Sequence, residues 1–122
     1  MGSPAKEEVE VKQYEIWWAV LPEPIGKRPV LLLSRDAAYA FLNNVLIAEI
    51  TTTVRGIPQE VALGKRDGLP TKCVANFDTL HSIRKSSLHE RVGALSRARI
   101  GEVKRAVGSA LGWPELVLQG RD

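Results

Sequence analysis

The 122 residues, 44% apolar and 25% charged, suffice for one buried core and are too few for two, so a deep binding groove would need a partner subunit. Seventeen Lys and Arg against 14 Asp and Glu leave a net charge of +3, a basic bias compatible with nucleic acid but not diagnostic of it. Cys73 is the single cysteine, and His81 and His89 are the only histidines; no apolar run reaches the length of a membrane span. An intrachain disulfide and a multi-cysteine zinc site are excluded, no metal or cofactor is expected, and a cytoplasmic location is the default.

Residues 1–12 carry Glu7, Glu8 and Glu10 with little to bury and read as a mobile N-terminal arm. From Tyr14 to Val20 the chain alternates, with Tyr14, Ile16, Trp18 and Val20 on one face and Glu15, Trp17 and Ala19 on the other, which is strand periodicity. Trp17 and Trp18 must then face opposite ways, either as two packing residues or with one ring turned to a groove, a partner or solvent. Pro22 to Gly26 is a turn-rich connection. Pro29 cannot donate a ladder hydrogen bond, which places it at the first residue of the apolar run in a second strand, Arg28 to Ser34, buried on both faces. Arg28 then stands at the mouth of a core strand, either paired with a carboxylate or available to an anion.

Ser34-Arg35-Asp36 opens a short helix around Ala37 to Leu42, with Ser34 as its N-cap, and Asn43-Asn44 ends it. Val45 to Ile50 is a third strand that runs directly into three hydroxyls, Thr51, Thr52 and Thr53. Arg55 to Pro58 breaks the chain, Glu60 to Leu63 is a fourth strand, and Gly64 to Gly68 is a charged hairpin-like loop. Thr71 to Phe77 reads as a fifth strand and Thr79 to Ile83 as a short sixth, with Asp78 between them. Such a set of short strands with one brief helix suggests a mainly β protein, a small, strongly bent antiparallel sheet closed toward a barrel.

Between Ser96 and Leu111, residues Ala98, Ile100, Val103, Ala106, Val107, Ala110 and Leu111 mark one face of a terminal helix. Arg97, Arg99, Glu102, Lys104 and Arg105 take the remaining, solvated face, and Gly112 with Pro114 stops the helix. Residues 13–112 thus read as one domain, and 113–122 as a tail whose Leu116-Val117-Leu118 either docks or frays.

The strand mouths gather a permanent cation at Arg28, hydroxyls at Thr51 to Thr53, a carboxylate at Asp78 and an imidazole at His81. Lys27 and Arg55 are further cations able to meet phosphate. Without a metal, a cofactor or a cysteine nucleophile, these groups suit phosphodiester chemistry on RNA, whose 2′-hydroxyl is a nucleophile supplied by the substrate. The planar guanidinium fork can hold two phosphate oxygens at once.

The order of several segments resembles the MazF/PemK toxins. They are Ile16-Trp17-Trp18, Gly26-Lys27-Arg28-Pro29-Val30-Leu31, Glu49-Ile50-Thr51, Asp78-Thr79-Leu80-His81-Ser82-Ile83, Leu88, and Val92-Gly93-Ala94-Leu95-Ser96 leading into the terminal helix. The resemblance covers roughly residues 14–112. It implies an SH3-like barrel with a C-terminal helix, a homodimer, and a metal-independent endoribonuclease cutting single-stranded RNA at short sequences, held in check by a cognate antitoxin. It assigns the catalytic arginine to Arg28 and the catalytic threonine to Thr51, with Asp78 as an acidic residue for base contact or proton transfer. Two departures stand out: the loop before Arg28 is short, and His81 replaces the arginine usual in the family. The same barrel also supports CcdB-type proteins that bind gyrase, and inactive interaction modules. Arg28 and Thr51 at adjoining strand ends distinguish the nuclease, since gyrase binding does not need that pair.

Overall fold

The computed structural model describes residues 10–119; residues 1–9, most of the expected N-terminal arm, lie outside the described residues, as do residues 120–122. Six strands, β1 (Glu15–Leu21), β2 (Gly26–Leu32), β3 (Asn44–Thr51), β4 (Glu60–Leu63), β5 (Cys73–Arg84) and β6 (Leu88–Ala94), form one sheet in the order β4-β5-β3-β2-β1-β6. Every neighbouring pair is antiparallel. Helix α1 (Ala38–Phe41) links β2 to β3, and α2 (Ile100–Leu111) and α3 (Pro114–Gln119) close the chain. β4 and β6 are opposite edges, yet a Cβ on Gly93 of β6 would collide with the carbonyl of Asp67, just beyond β4. The sheet therefore curls back on itself as a half-barrel.

Both faces of the curled sheet are apolar. Ile16, Leu31, Ala48, Ile50, Val61, Leu63 and Phe77 pack on one face with Val103 and Ala106 of α2. Trp17, Ala19, Val30, Leu32, Val45, Ile47 and Ile83 pack on the other with Tyr39 of α1. This two-sided burial is why Val30-Leu31-Leu32 is continuously apolar instead of alternating. Trp17 is buried and Trp18 only half so, with the Lys27 ammonium 5.2 Å from its ring centroid.

Three boundaries differ from the sequence reading. β2 starts at Gly26, which takes φ +71°, and Pro29 lies inside the strand opposite Trp18. Pairing of β2 with β3 begins only at Val30, so the donor that Pro29 lacks falls on the side where no strand is yet present. The expected fifth and sixth strands are one, β5, kinked where its register against β3 jumps from Leu80 opposite Ala48 to Asn76 opposite Glu49. The bulge buries Phe77 in the core, leaves Asp78 exposed, and bends the strand as extra residues in a ladder do. The true sixth strand, β6, is an edge strand bearing His89, Glu90 and Arg91, all exposed.

The terminal helix also departs from a uniformly solvated polar face. Ser96 accepts a hydrogen bond from the Ala98 amide (3.2 Å), a short 3-10 turn spans Arg97–Arg99, and α2 follows. Arg99 is buried: it forms a two-pronged pair with Glu102 (2.7 and 2.9 Å), donates to the Ala62 carbonyl (2.6 Å) and faces the buried Asp67 (3.4 Å). α2 ends at Gly112, in the left-handed region at φ +73°, whereupon α3 folds back onto α2.

Candidate active site

The registers of β2, β3, β4 and β5 set one row of side chains on the sheet face away from α2. Val30 stands opposite Glu49, so the same register carried two residues further brings Arg28 opposite Thr51. Thr51 in turn stands opposite Val74 of β5, and Val74 opposite Ala62 of β4. Arg28 and Thr51 lie just past the last residues that β2 and β3 pair with each other, where these two strands separate and both side chains are half-buried.

Arg28 has no side-chain hydrogen bond and no ion pair among the described residues. A guanidinium with no counter-charge at the rim of a core is poised for an anion. Thr51 Oγ1 accepts a hydrogen bond from the Thr53 amide (3.1 Å), which fixes the hydroxyl and leaves its own proton to donate outward. Beyond it, Thr52, Thr53 and Arg55 are exposed on the connecting loop. Glu60 holds that loop by accepting from the Arg55 amide (3.1 and 3.2 Å) and the Gly56 amide (3.0 Å), leaving the Arg55 guanidinium in solvent.

On the same face His81 Nε2 lies 2.7 Å from Glu49 Oε2, a close approach without hydrogen-bond alignment. His81 stands opposite Ile47, four residues before Thr51 on β3 and so about 13 Å along the strand. Asp78 sits on the β5 bulge, its amide donating to Asn76 Oδ1 (2.9 Å) and its carboxylate in solvent. Lys27 alternates to the opposite face, over Trp18, away from Arg28.

Two neighbours of the site were given no role by the sequence reading, Glu49 and Glu60. Glu49 had a signal in its position two residues before Thr51, hence on the same face; Glu60 looked like an ordinary strand residue, because its amide partners are set by how the 52–59 loop returns. Among the described residues no group of three or more His, Cys, Asp or Glu could hold a metal ion. Burial, reinforced by the charge of Asp67, pushes the Cys73 thiol above its ordinary range, so it stays protonated at neutral pH and is no nucleophile.

Residues 12–111 match the PemK-like, MazF-like toxin of type II toxin-antitoxin systems. The probable endoribonuclease MazF5 of Mycobacterium tuberculosis is 41% identical over 98 residues, 80% of this chain and 85% of that protein. The probable endoribonuclease MazF2 of the same species is 32% identical over 103 residues, 84% and 99%. Of solved structures, the M. tuberculosis toxin MazF-mt6 superposes with a TM-score of 0.76 at 34% identity, over 80% of this chain and 96% of that one. A mycobacterial endoribonuclease in complex with its cognate antitoxin superposes at 0.74 with 29% identity, over 85% and 97%. The chain belongs to the PemK-like, MazF-like toxin family of type II toxin-antitoxin systems.

Proposed function

We propose that this MazF-type endoribonuclease cuts single-stranded RNA at short sequences, without a metal ion, by attack of the RNA's own 2′-hydroxyl. The 2′-hydroxyl gives its proton to water as its oxygen bonds to phosphorus, the bond from phosphorus to the 5′-oxygen breaks and that oxygen takes a proton from water, and the products are a 2′,3′-cyclic phosphate and a 5′-hydroxyl. The observation that supports this reading best is the uncompensated Arg28 guanidinium opposite the outward-donating Thr51 hydroxyl. Arg28 stabilises the charge that builds on the phosphorane; a guanidinium is too weak an acid to serve well as the proton donor at neutral pH. Thr51 donates to a phosphate oxygen. His81, further along the strand, contacts the neighbouring nucleotide; Asp78 accepts from a base edge; Thr52, Thr53 and Arg55 follow the RNA strand along the loop.

The protein acts in the cytoplasm as a homodimer that deepens the groove of a chain this short, and a cognate antitoxin covers that groove, as suggested by the relative solved with its antitoxin. Incubating the purified protein with a long single-stranded RNA in EDTA tests the chemistry. The expected result is cleavage at a recurring short sequence leaving cyclic phosphate ends, slowed about a hundredfold or more by Arg28→Ala and clearly slowed by Thr51→Ala. Intact RNA with the folded wild-type protein would remove the nuclease reading.

A further inference from the structure

The row that begins with Arg28 and Thr51 continues across the sheet to Val74 and Ala62, and there the surface opens into a groove of about 620 Å³. Its floor is apolar, with Ala62 and Val74 from the two strands and Val54 from the loop after Thr51. Lys65, Arg66 and Lys72, all exposed, stand around it, and Lys65 and Lys72 have no ion-pair partner among the described residues. Two strand spacings, about 10 Å, separate Thr51 from Ala62, within reach of a nucleotide flanking the scissile phosphate.

We propose that this groove is a base-binding subsite, which takes one flanking nucleobase of the RNA onto its apolar floor and that nucleotide's phosphate onto Lys72 and Lys65. The proposal rests on the nuclease reading and deepens it by assigning part of the sequence choice to the edge of the sheet. Three features favour a nucleotide over a protein segment. The groove is continuous with the Arg28 and Thr51 row on one face of one sheet. Its apolar floor suits the face of a base, against which the Arg66 guanidinium plane can stack. Its cations sit at the rim, where phosphate would lie, and not on the floor. Val54, 57% exposed, is an apolar side chain left in solvent that a bound base would cover.

Two variants test the subsite on the full chain. Ala62→Leu fills the floor from an exposed strand position that tolerates a larger side chain, and Lys72→Ala removes one rim charge without touching the core. Cut positions are mapped on a long RNA, and binding is measured against salt with an oligonucleotide made uncleavable by a single 2′-deoxy substitution. Ala62→Leu is expected to relax or change the base preference at one position beside the cut and to raise KM. Lys72→Ala is expected to lower the slope of log affinity against log salt by about 0.7, the loss of one single-strand phosphate contact. If both variants keep the wild-type cut profile and salt slope while cleavage persists, the subsite is overturned and the nuclease reading stands. If they keep the RNA profile but bind the antitoxin less well, the groove belongs to the protein partner and the proposal is equally overturned. No cleavage by the wild-type protein overturns the nuclease reading and this subsite together.

Discussion

At the scale of single residues, the same side chain type has opposite fates. Arg28 and Arg99 are both partly or wholly shielded arginines, but Arg99 is fully matched by Glu102, Asp67 and the Ala62 carbonyl, whereas Arg28 has no counter-charge among the described residues. Arg99 is thus structural: Arg99→Ala would strand the 3%-exposed Asp67 carboxylate and lose roughly 3 kcal/mol of stability, to be read from a urea unfolding midpoint. A helical wheel places Arg99 among solvated positions because it cannot show that the 65–67 turn packs over the start of α2. Among the described residues His81 meets only the Glu49 carboxylate, and it lies along the strand from Thr51, so in the proposed reaction its contribution would fall on binding. His81→Ala is expected to raise KM by about tenfold, the worth of one charge-assisted contact, with a smaller change in kcat. A larger fall in kcat than rise in KM would instead make the imidazole part of the chemistry.

At the scale of elements, pattern identified the helix α2 and the strands β1 to β4, because each is long enough in one period or ends in an unmistakable breaker. It failed where the sheet bends. β5 looked like two strands since Asp78 breaks its apolar pattern, yet the break is a bulge inside one continuous ladder. β6 looked like no strand because an exposed edge carries charges where a central strand carries Val or Ile. The tail was open between docking and fraying, and Gly108 decides it: a Cβ there would approach the Trp113 carbonyl to 2.8 Å and Leu116 Cβ to 2.9 Å. Gly108→Ala gains about 1 kcal/mol of helix propensity but overpacks the α2/α3 contact by about 1–3 kcal/mol. The expected net result is loss of α3 docking, seen as faster proteolysis around Gly112; unchanged proteolysis would mean that α3 shifts to accommodate the methyl group.

At the scale of the whole molecule, curling joins distant parts of the chain, and its stability is tied to acid. Arg99 holds the Glu102 carboxyl below its ordinary range, so the unfolded chain takes up that proton before the folded one does. The stabilisation is complete above the ordinary glutamate range and is lost as pH falls through and below it. Unfolding free energy measured from pH 7 down to pH 3 should therefore fall, and Glu102→Gln should flatten part of that fall; an identical acid limb in the variant would dismiss the linkage. The sequence by itself determined most of the strand and helix content and the family, and it singled out Arg28 and Thr51 as candidates, because periodicity, proline and glycine breakers, and motif order are local properties of the chain. Only the tertiary structure decided which face each residue occupies relative to the others, for that depends on register and on the β5 bulge at Asp78. Through them Arg28 comes opposite Thr51, Lys27 is sent to the far side, Arg99 is buried, and a groove opens between strands that are neighbours only in the folded sheet.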